Sequence, residues 1–315
     1  MSKPLTLFGL AAVLVIGGCA QPTATTITVV HRDGSFDRRV ELAPAPPAGY
    51  SGTHPPRVTK AKAAHELATT FAFRRSDGKM VRDPHHRVQT PYWVSKRHFE
   101  FGEIAVHDVV IKSEKGRQAV ANEASVRPLG DGRWVFTERY HWLGKPLTDK
   151  DWVNPELHKA TQNALGPGFD SAEIDKLAVR LSKDAFALVS QPKILMKLLQ
   201  DDSNKDKGEK AEAQFVQLIE QRLNAQAASS AEKEASHRLA ELVRSGKEPH
   251  SNFDPLPRGV DMPSNAFIEV KVRVPGKVLS TDAELDKDGL WTWSVMSTAP
   301  ILNDVECRLV FRPAG

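Results

Sequence analysis

Polar and apolar residues alternate with a period of two near both ends of the chain, and with a helical period in between. Thr25 to His31 alternates and places Ile27 and Val29 on one face. Asp33-Gly34 is a hairpin turn signal. Beyond it Phe36, Val40 and Leu42 recur on one face, with Arg38 as a polar member of that face. This predicts a β-hairpin. Pro44, Pro46, Pro47, Pro55 and Pro56 make 43–57 a loop or extended linker. In 59–73, Ala63, Ala64, Leu67 and Phe71 fit a helix face, while Phe71 and Phe73 before Asp77-Gly78 fit a strand. A short helix ending before Phe71 is favoured.

Residues 88–143 read as β. Ile104 to Ile111, Arg117 to Arg127 and Arg133 to Trp142 are strand-like, with Pro128 to Gly132 as a hairpin connection. Residues 155–248 read as helical. Ile174, Leu177, Ala178, Leu181, Ala185 and Leu188 share one face. Asp201 to Lys210 reads as a loop, after which a helix starts near Phe215 and runs on through Leu239, Leu242 and Val243. Ile268, Val270, Val272 and Val274 then alternate with charged residues. Two further strands carry Trp291, Trp293 and Val295, then Val305, Cys307, Leu309 and Phe311. The order strands, helices, strands predicts an α+β fold. Its antiparallel sheet is built from N-terminal, middle and C-terminal strands, with a helical block inserted at about 155–248.

The first residues change the picture. Lys3 precedes an apolar run from Leu5 to Ile16, followed by Gly17, Gly18 and Cys19. That is a signal-peptide layout, too short for a comfortable membrane span. Ile16-Gly17-Gly18-Cys19 resembles the bacterial lipobox. The resemblance implies cleavage before Cys19 and acylation of its thiol and amine, and so membrane attachment through Cys19. Ala20 in place of Asp leans toward an outer rather than an inner membrane. The expected organisation is a signal peptide at 1–18, a lipidated tether at 19–24, β-rich residues 25–154, helices 155–248 and a completing β segment 249–315.

With Cys19 acylated, Cys307 has no intramolecular partner among the two cysteines. A net charge of +4 over 315 residues argues against a nucleic-acid partner. The local exception is 74–98, with Arg74, Arg75, Lys79, Arg82, Arg87, Lys96 and Arg97 beside Tyr92 and Trp93. Near a bilayer, such a stretch would suit anionic headgroups.

Phe267 to Asp282, including Pro275-Gly276-Lys277-Val278 and Ser280-Thr281-Asp282, followed by Trp291-Thr292-Trp293, resembles the end of the LppM-like bacterial lipoproteins. Asp282 stands where that family usually has Asn. The likeness covers about 45 residues, and the helical block departs from it. It implies an α/β envelope lipoprotein associated with lipid or glycolipid, and it carries over no catalytic residue.

Local motifs for chemistry are incomplete. His65-Glu66 lacks a second His at 69. His85-His86, with His98 nearby, point to opposite faces if extended. Asp202, Asn204 and Asp206 begin a calcium-like loop that lacks its Gly and Glu. Gly166-Pro167-Gly168 reads as a turn. No catalytic residue, metal site or cofactor is expected. The leading expectation is a non-enzymatic, membrane-anchored module that binds a lipid or another amphipathic ligand. A protein-docking lipoprotein acting through the helical block is the second reading. A hydrolase or metal enzyme assembled from distant residues is the third.

Overall fold

The computed structural model describes residues 22–45, 58–83, 90–153, 155–191, 194, 205–245, 257, 263 and 266–314. The signal segment, Cys19, His85, His86, Arg87, Asp202 and Asn204 lie outside the described residues. The chain divides into a β unit, Gly17–Gly144 with Asp261–Gly315, and a helical unit within Lys145–Val260.

The β unit is an α+β arrangement of two sheets. Its first part contains β1 (Thr23–Val30), β2 (Phe36–Ala43), α1 (Lys60–Thr70), β3 (Lys79–Val81), β4 (Tyr92–Phe99), β5 (Ile104–Lys112), β6 (Gln118–Gly130) and β7 (Arg133–Trp142). Its second part contains β8 (Phe267–Arg273), β9 (Gly276–Thr281), β10 (Glu284–Leu285), β11 (Trp291–Met296) and β12 (Val305–Pro313). One sheet runs β10-β11-β8-β1-β2-β4-β3 and the other β5-β6-β7-β12-β9. N-terminal, middle and C-terminal strands thus combine as the patterning predicts. Pairing is antiparallel except between β1 and β8, which are parallel.

Side chains from both sheets fill the space between them. Phe36, Val40 and Leu42 meet Phe136, Leu309 and Phe311 in one continuous core, closed by Leu67 of α1 and Phe71. Helix α1 ends at Thr70, as expected, because Phe71 turns extended and bridges to Ile111. Ile27 and Val29 share one face of β1, as expected; that face is the half-buried outer one, whereas Ala24, Thr26, Thr28 and Val30 are buried. Thr26 and Thr28 face inward because their hydroxyls bond to a buried ion pair, described below.

A strand unseen in the pattern, β9, follows the Pro275-Gly276 corner, where the chain leaves one sheet and joins the other. Gly276 has φ 131°, and a Cβ there would collide with the carbonyl oxygen of Arg312 on the paired strand. Only glycine accommodates both demands.

The helical unit contains α2 (Asp149–Trp152), α3 (Pro155–Leu165), α4 (Ser171–Val189), α5 (Lys205–Ala225) and α6 (Ser230–Ser245). Asp170 caps α4 by accepting from the Ala172 and Glu173 amides. The predicted stripe Ile174, Leu177, Ala178, Leu181, Ala185 and Leu188 packs on Phe215, Ile219, Leu223, Leu239 and Val243. Two details differ from the expectation. Helix α5 starts at Lys205, inside the stretch read as a loop. The long helix is also two helices, because Ser229 accepts from the Glu232 amide and Glu232 accepts from the Ala228 amide, capping a new start. Among the described residues, no helix is long and apolar enough to cross a membrane.

Gly276→Ala should destabilise the protein by at least about 2 kcal/mol, combining a positive-φ penalty with a backbone collision. The shift of the urea midpoint checks this, and an unchanged midpoint would refute the corner's role.

Candidate functional site

Polar chemistry in the β unit concentrates in two layers. One is buried between the sheets and the other lies on the outer face above it.

The buried layer begins with Arg38. Its position among Phe36, Val40 and Leu42 on the inward face of β2 carries the guanidinium into the core. Glu138, on the inward face of β7 between Phe136 and Tyr140, meets it from the opposite sheet. Arg38 Nη2 lies 2.7 Å from Glu138 Oε1, and Nη1 lies 3.0 Å from Oε2, a two-pronged contact with both side chains fully buried. Arg38 Nη1 also donates to Thr28 Oγ1 at 3.1 Å, and Nε to Asp108 Oδ2 at 2.9 Å. Glu138 further accepts from Asn122 Nδ2 at 2.9 Å, from the Tyr140 hydroxyl and, more weakly, from Thr26. Burial alone would raise the Glu138 pKa. The charge of Arg38 and the bonds from Arg38, Tyr140 and Asn122 outweigh it and hold the carboxylate below its ordinary value. Burial and the adjacent Glu138 push the Tyr140 hydroxyl well above its usual value.

Asp108 reaches this network because β5 is irregular. Its register against β6 shifts between Val106 and Val110, and His107 adopts φ 56°. This bulge turns Asp108 toward the sheet interior. The displaced Val109 amide is satisfied by Asn122 Oδ1 at 2.8 Å. Asp108 Oδ1 then pairs with the exposed Arg97 at 3.0 Å, carrying the network to the surface.

Every lone pair of Glu138 is engaged by protein donors and the carboxylate is sealed from water. The group therefore offers no position from which to act on a substrate. Cys307 is buried nearby, and burial raises its thiol pKa well above the usual value, which makes a thiolate nucleophile unfavourable.

The outer layer is a cluster of His31, Asp37 and His98. Asp37 and His98 are direct partners across β2 and β4, with their side chains on the outer face. His31 follows β1 in a turn closed by its amide on the Ser35 carbonyl at 2.8 Å and by the Gly34 amide on its own carbonyl at 3.1 Å. Gly34 has φ 90°, and a Cβ there would run into the Phe101 ring. His98 Nδ1 lies 2.7 Å from Asp37 Oδ1, and His31 Nε2 lies 3.1 Å from Asp37 Oδ2. The bond from His98 holds the Asp37 carboxyl below its usual range, and in return Asp37 raises the His98 pKa. The three ligand atoms fall within 4.8 Å of one another. Sequence reading weighed His98 with His85 and His86 but passed over its partners. His31 comes near only through the hairpin turn, and Asp37 only through strand register.

The basic stretch does not form one surface. Tyr92 and Trp93 are 2% and 4% exposed, so headgroup contact through them is overturned. Trp93 points into the inter-sheet core, and Tyr92 packs with Ala43, Val94 and Val81. Arg74, Arg75, Lys79 and Arg82 are exposed, and Arg82 donates to the Val58 carbonyl. Lys96 and Arg97, also exposed, sit opposite Arg39 and Arg38, and so on opposite faces of the sheet. In the helical unit, Gln221, Asn224, Ala225, Ser230, Lys233 and Glu234 line an open depression of about 640 Å³.

No known protein family, curated protein or solved structure matches this chain. In the C-terminal segment Trp293 Nε1 donates to Asp282 Oδ1 at 2.6 Å, joining the Ser280-Thr281-Asp282 stretch to the tryptophan strand.

Glu138→Gln should cost about 3–5 kcal/mol at pH 7, because it leaves the Arg38 charge buried and incompletely neutralised. Since the folded state lowers the Glu138 pKa, its contribution is present above 4.5 and fades as the pH falls through the folded value. The difference between wild type and variant, measured by urea unfolding, should accordingly shrink as the pH is lowered below 4.5. A difference independent of pH would refute the ionised pair.

Proposed function

We propose that the chain is a membrane-anchored envelope lipoprotein and that its β unit is a non-enzymatic docking module for another envelope protein. The observation that carries this reading is the start of β1 at Thr23, with only residues 20–22 between it and Cys19. The four Cα-to-Cα steps from Cys19 to Thr23 span at most about 14 Å. β1 is an interior strand, hydrogen-bonded to β2 on one side and β8 on the other. An acyl anchor on Cys19 is thus joined to a rigid body, and the end of the sheet bearing Thr23, Ala43 and Phe267 sits next to the bilayer.

The opposite end carries the hairpin turn at 31–35, the Phe101 loop and the β6–β7 connection. Phe101, Ile104 and Leu129 are exposed there, and the Phe101 ring packs against Trp134, tilted by 34° with centroids 4.8 Å apart. Exposed apolar side chains held on a firm base and facing away from the membrane suit a protein partner. Among the described residues, the large exposed apolar side chains all belong to the β unit. This favours the β unit over the helices as the docking surface. The side-chain-filled sandwich favours docking over enclosure of a lipid. Saturation of Glu138 favours a non-enzymatic role.

Fractionation of cells tests the anchor. Cys19→Ser should abolish incorporation of labelled fatty acid and move the protein from the membrane to the soluble fraction. A variant that stays membrane-bound would overturn the anchoring. Native mass spectrometry of the Cys19→Ser protein should show the bare polypeptide mass, and a stoichiometric co-purified lipid would instead favour the ligand-binding reading.

A further inference from the structure

We propose that His31, Asp37 and His98 form a binding site for one divalent transition-metal ion with the chemistry of zinc.

Two imidazoles and one carboxylate are the donor set of zinc sites that keep a position open. The nitrogen ligands exclude the hard cations calcium and magnesium, which take oxygen. Tetrahedral bonds of about 2.0–2.1 Å put ligand atoms about 3.3 Å apart. His98 Nδ1–Asp37 Oδ1 at 2.7 Å and His31 Nε2–Asp37 Oδ2 at 3.1 Å are both a little shorter than that spacing, and one ligand atom from each residue lies within 4.8 Å of the others. Side-chain rotation alone can close the remainder. The side chains are 42%, 58% and 51% exposed for His31, Asp37 and His98, so an ion reaches them from solvent.

The backbone beneath the cluster is fixed. Asp37 and His98 face each other in register, and Phe36 and Phe99 stack directly below with centroids 4.9 Å apart. Asp33 holds the turn by accepting from the Ser35 amide and hydroxyl at 3.0 and 2.7 Å. A support for the ligand is also in place. Nδ1 of His98 faces Asp37, and its other nitrogen, Nε2, lies 3.7 Å from Glu100 Oε1. Zinc-bound histidines commonly direct the free N–H at such a carboxylate. On binding, the metal takes the place of the hydrogen that bridges each imidazole to Asp37, and in a neutral imidazole that proton moves to the ring's other nitrogen, which for His98 is Nε2. Three protein ligands leave a fourth position for water or a group from a partner. The site's orientation away from the bilayer rests on the anchoring reading, whereas metal binding does not.

The test uses the full-length protein, purified in detergent and stripped with a chelator. Titration with Zn²⁺ by calorimetry should give one ion per chain. His31→Ala, His98→Ala and Asp37→Asn should each weaken binding at least tenfold, with circular dichroism melts confirming a folded sheet. His85→Ala with His86→Ala, and His107→Ala with His141→Ala, should leave that site intact. Modification of the wild-type protein with diethyl pyrocarbonate, mapped by mass spectrometry, reports on the cluster without any substitution. Zinc should protect His31 and His98. Absence of binding, binding lost only in the His85 and His86 variant, or failure to protect His31 and His98 would overturn the site.

Discussion

Two opposite charges, one from each sheet, are buried between them, held by each other, by Asp108 beside the guanidinium and by a ring of neutral polar groups. Arg38 and Glu138 are 100 residues apart in the chain. Their two-pronged contact is satisfied only when β2 and β7 both lie in their observed registers. A one-residue slip of β2 would turn Arg38 to the outer face and strand Glu138 in the core, at a cost of several kcal/mol. An apolar pair could fill the same space with equal stability. What the ion pair adds is discrimination against wrong alignments, in a sandwich whose other inward residues are largely interchangeable aliphatics. The bulge in β5, the inward turn of Asp108, the Asn122 bond to the Val109 amide and the inward threonines of β1 each supply a group the pair requires.

The same constraint explains what could and could not be read in the sequence. Strands with apolar inward faces, such as Ile268, Val270 and Val272, were legible from alternation, as was the stripe on α4. Arg38 was legible as a misfit on an apolar face, but its partner was not. Glu138 sits between Thr137 and Arg139 in a strand whose aromatic residues dominate the pattern. The alternation of β1 was legible, but not which face is buried: a polar core selects its threonines over Ile27 and Val29. β9 is short, faces solvent on most positions and begins at a Pro-Gly corner, so it has little periodicity to detect.

The histidine–carboxylate cluster was hidden for another reason. His98 and Asp37 are 61 residues apart, and they meet because of strand pairing rather than any spacing along the chain. Neighbouring histidines, by contrast, draw attention in a sequence whether or not they converge. Once β2 and β4 are in register, the outer face above the ion pair is determined too. Phe36, Arg38 and Val40 inward means Asp37 and Arg39 outward. The position of the buried Arg38 therefore fixes the position of Asp37, and the surface chemistry inherits its geometry from the core.

This coupling also gives the β unit a direction. β1 runs eight residues, about 25 Å, from the end near Cys19 to the turn that holds His31. Because β1 is paired on both sides and its inner threonines bond to the ion pair, it acts as a strut rather than a tether. A flexible linker would present the far end in every orientation. If Cys19 is acylated as proposed, a strut joined to that anchor by a few residues would limit it to those in which the anchored end lies near the membrane. Exposed Phe101, Ile104 and Leu129 and the His31–Asp37–His98 cluster would then project from the bilayer together. Under that proposal a short tether and a polar-locked sandwich would be parts of one design, in which rigidity in the core converts attachment at one end into presentation at the other.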